Sequence, residues 1–332
     1  MKFSASTPKN AFPTISGYTL VEQLYVGSRT AVYRAVQVAD RRSVVIKVLQ
    51  REHPSFGELV QFRNQYTIAK DLPIPGIIQP LSLASLENGY ALVMEDWQAL
   101  SLAKYCQQHS LTLTEVLEIT LQMADILHDL GQHRVVHKDI KPGNILIRPE
   151  SQQIKLIDFS IASSLPKETQ EIQNPNMLEG TLAYLAPEQT GRMNRGIDYR
   201  ADFYALGVTL YQLLTGTLPF ISDDPLELIH GHLAKQPLPV DQVRPEVPAP
   251  VAAIVAKLMA KNAEDRYQSA LGLQHDVQHC LTQWQTMGAI AAFELGQRDL
   301  SDRFLIPEKL YGREAEVQTL LEAFERVADG AA

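Results

Sequence analysis

Cysteine is nearly missing from this chain: two residues in 332, Cys106 and Cys280. Two thiols so far apart in sequence make neither a disulfide framework nor a zinc cluster, and a reducing, cytoplasmic setting fits them. No apolar run reaches the ~20 residues that a bilayer-spanning helix needs. The opening stretch from Met1 to Pro13 is polar and has no apolar core of the kind a secretion signal carries. Positive charge is also scarce. Thirty Lys and Arg face 38 Asp and Glu for a net charge of −8, and no basic stripe stands out, which argues against a nucleic-acid partner. No Gly-x-x-x-x-Gly-Lys-Ser/Thr run occurs, so the chain has no P-loop for phosphate. Internal repeats and low-complexity tracts are absent too.

What is present supports a large core, because hydrophobic residues make up 45% of the sequence. Tyr18 to Val26, Ala31 to Val38 and Ser43 to Leu49 read as strands, rich in Val, Tyr and Leu between polar breaks. Gly57 to Leu72 reads as a helix, followed by short strands around Ile77–Leu83 and Tyr90–Glu95. After Gln98 the periodicity turns helical. Thr112 with Glu115 forms a capping-box pattern, and Val116, Ile119, Met123, Ile126, Leu127 and Leu130 follow at helical spacing, with Gly131 placed to end the helix. Tyr199 to Thr215 is apolar on nearly every face and predicts a buried central helix. Asp224 and Pro225 suit the N-cap and first position of another. Gln236 to Pro250 is proline-rich and reads as a loop, before helices at Val251–Ala260 and Ser269–Trp284.

The most informative run is His137-Lys138-Asp139-Ile140-Lys141-Pro142-Gly143-Asn144-Ile145-Leu146. It sets a carboxylate, a cation and a carboxamide at fixed spacing on one loop. Phosphoryl transfer needs one group to orient a hydroxyl, one to neutralise the moving phosphate and one to hold a metal. A second carboxylate follows in Leu156-Ile157-Asp158-Phe159-Ser160, and a lysine precedes both in Val44-Val45-Ile46-Lys47. Any one of these residues alone is best read as a solvated surface charge. All five in order at this spacing are not.

At these residues the chain resembles the protein kinase family, on the serine/threonine side. The resemblance implies an α+β, bilobal fold, with a small, mostly antiparallel β lobe carrying one helix and a larger, mostly α-helical lobe. The implied boundaries are an N-terminal extension at 1–16, the small lobe at 17–97, the large lobe at 98–284, and at 285–332 a linker and the start of a further domain. Asp139 is then the base or hydroxyl-orienting group, and Lys141 stabilises charge on the transferred phosphoryl. Asn144 and Asp158 supply oxygen ligands for Mg2+, and Lys47 contacts the α and β phosphates of ATP. Leu24, Val32 and Val45 lie above the adenine ring and Leu146 below it, with Met94 at the back and the backbone of Glu95 and Trp97 as the hinge. Thr181 matches the threonine that seats a hydroxyl substrate. Glu188 pairs with Arg266, and Asp202 accepts hydrogen bonds from the catalytic-loop backbone. His137 packs and hydrogen-bonds rather than acting as an acid or base.

Four departures from that family stand out. The phosphate-covering loop, Leu24 to Val32, keeps only the central Gly27, with Tyr25 and Thr30 where glycines are usual. Gln65 sits where the family carries a glutamate paired to the strand lysine; Glu58, two turns earlier and about 10 Å away along the helix, is too far to replace it. Ser160 follows Asp158-Phe159 in place of glycine. Lys138 stands where many regulated kinases have arginine and grips a phosphate less well, so strict dependence on phosphorylation of Ser163, Ser164 or Thr169 is not expected.

Three readings follow. One is an active Mg–ATP-dependent kinase, slowed by Gln65, acting on Ser/Thr of a protein substrate. Another is a pseudokinase that senses nucleotide or docks partners. The third is a small-molecule phosphotransferase, against which Ala186-Pro187-Glu188 and the threonine before it argue. Leu310-Tyr311-Gly312-Arg313-Glu314-Ala315-Glu316, followed by Leu320, Leu321 and Phe324, resembles the opening segment of an AAA-type signalling ATPase. A fragment of a longer bacterial signalling chain, whose downstream domains are its partners, is the expectation.

Overall fold

The computed structural model describes residues 13–51, 53–86, 89–164, 182–192, 196–300 and 319. Thr181, Thr169 and, apart from residue 319, the segment 310–324 lie outside the described residues.

The chain first builds β1 (Tyr18–Val26), β2 (Thr30–Gln37) and β3 (Ser43–Leu49), then α1 (Phe56–Ala69), β4 (Pro80–Leu86) and β5 (Gly89–Glu95). The strands form one antiparallel sheet in the order β1-β2-β3-β5-β4. Strand alternation gives that sheet two faces. Ala31, Tyr33 and Ala35 of β2 join Val44, Ile46 and Val48 of β3 in a cluster on one face. Val45, Leu92 and Met94 point to the other, where Phe62 of α1 covers them. The side chain of Lys47, two residues after Val45, leaves on the same face as Val45. Ser55 caps α1: its hydroxyl accepts from the Glu58 N–H, and the Glu58 carboxylate takes the Ser55 N–H at 2.8 Å.

The larger lobe continues with β6 (Leu100–Ser101), α2 (Leu102–Gln108), α3 (Leu113–Gln132), β7 (Ile145–Ile147), β8 (Ile154–Leu156), α4 (Arg200–Thr215), α5 (Pro225–Leu233), α6 (Val240–Val243), α7 (Ala249–Leu258) and α8 (Ala270–Met287). The fold is the α+β, two-lobed architecture expected. The Thr112–Glu115 capping box forms, and α4 is buried over most of its length. Gly207 lets α4 meet α7: a Cβ there would lie 2.8 Å from the Leu258 Cβ. Two expectations are corrected. Helix α3 runs through Gly131 to Gln132, and Arg134, at φ 56°, makes the left-handed turn instead of a glycine. The proline-rich segment holds α6 and the first turn of α7, whose prolines sit at helix starts, where a missing N–H costs nothing. The short β6, α2, β7 and β8 carry too few residues for a periodic signal. Among the described residues no helix is long and apolar enough to cross a membrane, and Cys106 and Cys280 are both free.

Residues 289–300 run back along α8. Ile290, Phe293 and Leu295 pack on the core of the larger lobe, and the Phe293 ring meets His279 edge-on at 4.5 Å. Gly296, at φ 77°, donates its N–H to the buried Asp276 carboxylate at 2.7 Å. Asp299 then reaches the start of α8, where it accepts the N–H groups of Gln268 and Ser269 at 2.8 Å each and the Ser269 hydroxyl at 3.0 Å. A negative charge there also suits the helix dipole. Gly272 makes the room, since a Cβ would lie 2.6 Å from the Asp299 Cα. Asp299→Ala should therefore cost about 1–2 kcal/mol, a fall of a few degrees in Tm for a domain of this size. Calorimetry showing an unchanged Tm would rule out this capping role.

Candidate active site

The loop after α3 is held by one carboxylate. Asp202, in the first turn of α4 and 2% exposed, accepts the N–H of His137 and of Lys138, each at 2.7 Å. Burial pushes its carboxyl above the usual range, while His137 and the two backbone donors work against that. Lys138 sits at φ 68°, a strained conformation for a lysine, and its carbonyl is held by the Gln189 amide at 3.0 Å. The His137 ring accepts from the Asp139 N–H at Nδ1, which puts its proton on Nε2, facing the Ile157 carbonyl at 3.0 Å. Both ring nitrogens are used locally, as expected for a packing histidine.

From this frame Asp139 projects its carboxylate. Lys141 Nζ donates to both oxygens at 2.8 Å, and Asn144 Nδ2 donates to Oδ2 at 2.7 Å and to the Asp139 carbonyl at 2.8 Å. The amide nitrogen of Asn144 is thereby occupied, so Oδ1 is the end of that side chain that could ligate a metal. The Ile157 N–H donates to the Asn144 carbonyl at 2.9 Å and ties this loop to the segment bearing Asp158.

Asp158, at φ 68°, meets Lys47 Nζ at 2.9 Å. Burial alone would raise its carboxyl, but the charge and hydrogen bond of Lys47 outweigh that and hold it down at about 2. On the other side Lys47 donates to Gln65 Oε1 at 3.1 Å. Gln65 therefore stands in the predicted position, and the lysine's counter-charge comes from Asp158. Glu58 is committed to Ser55 and Arg51, at the far end of α1. Ser160 is not among the positive-φ residues, so serine is unstrained there; its N–H faces Asp158 Oδ1 at 3.4 Å.

The expected pocket walls are brought together in part. Val45, Met94, Trp97 and Leu146 share one apolar cluster, and Val45 pairs with Met94 across β3 and β5. Val32 pairs with Lys47 and with Tyr25, while Leu24 is 37% exposed. Gly27 donates its N–H to the Thr30 carbonyl at 2.9 Å, and a Cβ on it would lie 2.9 Å from ring carbons of Tyr25, which leans over the turn. The hinge carries side-chain chemistry that the motifs did not reveal. The Glu95 carboxylate is paired with Lys155 at 2.6 Å, the Glu95 N–H is given to the Gln79 carbonyl, and the Trp97 carbonyl accepts from Arg148 at 2.8 Å. The Arg148 guanidinium also lies 4.4 Å from the centre of the Trp97 ring. Arg148 and Lys155 lie on the β7–β8 hairpin, too short to announce itself by pattern.

Below the cleft Glu188 and Arg266 form a buried fork at 2.6 and 2.9 Å. The other guanidinium donors go to the carbonyls of Arg200, Ala260 and Lys261. All of Arg266's hydrogen-bonding capacity is used, as a buried guanidinium requires. Among the described residues no group of three or more His, Cys, Asp and Glu could hold a metal. An ionised Asp158 and the side-chain Oδ1 of Asn144 are hard oxygen donors that suit Mg2+, which takes one or two protein ligands and completes its shell with phosphates and water.

A family model described as the protein kinase domain matches residues 18–278. The chain is 32% identical over 268 residues to the serine/threonine-protein kinase PrkC of Bacillus subtilis, covering 79% of this chain and 40% of that one. It is 31% identical over 268 residues to the serine/threonine-protein kinase PknB of Mycolicibacterium smegmatis, covering 78% and 42%, and 30% identical over 268 residues to PknB of Mycobacterium tuberculosis, with the same coverage. The chain thus spans about two fifths of the length of these relatives.

The depressed Asp158 carboxyl contributes stability that is complete above its unfolded range near 3.8 and is lost as pH falls toward 2. Lys47→Met removes the opposing charge and leaves burial, so Asp158 should then titrate above its usual range, read by carbon-detected NMR. A carboxyl still near 2 in that variant would mean that another group holds it.

Proposed function

The chain belongs to the protein kinase domain family, and on that premise we propose that it transfers the γ-phosphoryl group of ATP to serine or threonine hydroxyls of protein substrates. The observation that carries this reading is the joining of two hydrogen-bonded groups, Lys47–Asp158 and Asp139–Lys141–Asn144, through the Ile157 N–H. The names of relatives near 30% identity support the same activity.

Asp139 orients the substrate hydroxyl and takes its proton as the bond to phosphorus forms. Lys141, which now spans both Asp139 oxygens, has the charge and reach to meet the transferred phosphoryl oxygens. Lys47 contacts the α and β phosphates, and Gly27 permits close backbone approach to them. Asn144 Oδ1 and Asp158 would hold Mg2+, which, when bound, neutralises phosphate charge. Leu24, Val32, Val45, Met94 and Leu146 enclose the adenine, with Glu95 and Trp97 at the hinge. Thr181 seats the hydroxyl. The pseudokinase reading rests on Gln65 and the thinned glycine loop, and retention of Lys47, Asp139 and Asp158 weighs against it. The resemblance of 310–324 to the start of an AAA-type ATPase supports a longer signalling chain whose other domains are partners of this one.

Purified chain with Mg2+, γ-labelled ATP and a generic protein substrate should incorporate label, whereas Asp139→Asn should lose about 10²–10⁴ of the rate and Lys47→Met most of it. Bound ATP without transfer by the wild type would leave only the nucleotide-sensing role.

A further inference from the structure

A helix carboxylate would be drawn toward Lys47 by charge and would bring α1 with it. Here Lys47 has its counter-charge in Asp158, on the other lobe, and Gln65 offers α1 only a neutral acceptor. Phe62 seats α1 on the sheet, and the Lys47–Asp158 pair includes no group of α1, so a polar hold of the helix on the larger lobe must come from another residue.

Asn64, one position before Gln65, faces the larger lobe. Its Nδ2 donates to the Ala162 carbonyl at 2.9 Å and approaches the Ser160 carbonyl at 3.4 Å. These acceptors lie two and four residues beyond Asp158. They are not on free chain: Ser163 exchanges two backbone hydrogen bonds with Val136, at 2.9 and 3.0 Å, three residues before Asp139. Asn64 therefore clips α1 to backbone continuous with both the metal-side carboxylate and the base. We infer that Asn64 is a positioning residue, holding α1 against the segment after Asp158 and so replacing the missing helix carboxylate as the device that keeps Gln65 on Lys47. The clip is uncharged, so its strength does not follow salt as an exposed ion pair's would.

The inference rests on the phosphotransferase reading for its kinetic consequences but not for its structural one. Wild type, Asn64→Ala, Gln65→Glu and the double variant are compared by amide hydrogen exchange across residues 56–69 and by kinetics with ATP and a generic protein substrate. Asn64→Ala should speed exchange in α1 and lower kcat/KM for ATP, each by about three- to tenfold, the shift expected for one lost hydrogen bond. Gln65→Glu gives Lys47 a charge on α1 to attract, so the Asn64→Ala loss should shrink in that background. A merely structural residue would lose the same factor in both backgrounds, and that additivity, or unchanged exchange in Asn64→Ala, would overturn the proposal. If the wild type transfers no phosphate, the phosphotransferase reading fails, while exchange in α1 still decides the role of Asn64.

Discussion

Two backbone N–H groups converge on the buried Asp202 carboxylate, and the loop that bears Asp139 depends on that convergence. A loop residue held in the left-handed region costs ~1 kcal/mol or more, and a lysine has no special tolerance for it. Lys138 stays there because Asp202 grips its N–H while Gln189 grips its carbonyl. With those fixed, the next residue can only send its side chain into the cleft. Asp202 is itself buried, placed in the first turn of a helix buried on most faces. The strain of the loop is thus supported by the packing of the larger lobe.

Charge is distributed across the cleft differently from what a helix–strand ion pair would give. Lys47 and Asp158 neutralise one another across the two lobes, and α1 adds only amides. This lowers the electrostatic pull on the helix and makes its seat depend on hydrogen-bond geometry, which fails steeply when distance and angle drift. The same frugality marks the glycine loop, where one glycine is kept at the tightest place and Tyr25 covers it. Such a cleft keeps Lys47, Asp139, Lys141 and Asp158 while lacking the helix glutamate and the further loop glycines that are usual in the protein kinase family.

On the far side of the larger lobe, Arg266, Gln268 and Asp299 form one connected anchor. Arg266 holds Glu188 through a buried fork. The Gln268 side-chain oxygen accepts from the Arg200 guanidinium, and the Gln268 N–H donates to Asp299. The tail after α8 is therefore packed against the same structure that holds Glu188, though the family match ends at residue 278, inside α8.

The strands and helices were legible from local spacing, by strand alternation and a capping box, whereas the two-lobed fold and the set of residues 47, 139, 141, 144 and 158 were read from the resemblance to the protein kinase family that three short motifs carry. Gln65 was found through the same resemblance, by counting back from Pro75 to the position where that family carries a glutamate. Asn64, Arg148, Lys155 and Asp299 were not legible, since each matters through a partner far away in the chain. No period or motif links Asn64 to Ala162, or Asp299 to Gln268. The end of α3 was misjudged because glycine is a common way of turning left-handed, whereas here local backbone hydrogen bonds, from the Arg134 N–H to the Gly131 carbonyl and from the Val135 N–H to the Leu130 carbonyl, close the turn on Arg134. Sequence determined which chemical groups the cleft would contain, because residue type is fixed covalently. Tertiary structure alone decided which acceptor each donor would meet, because hydrogen bonds act over about 3 Å and only folding brings such groups within that reach.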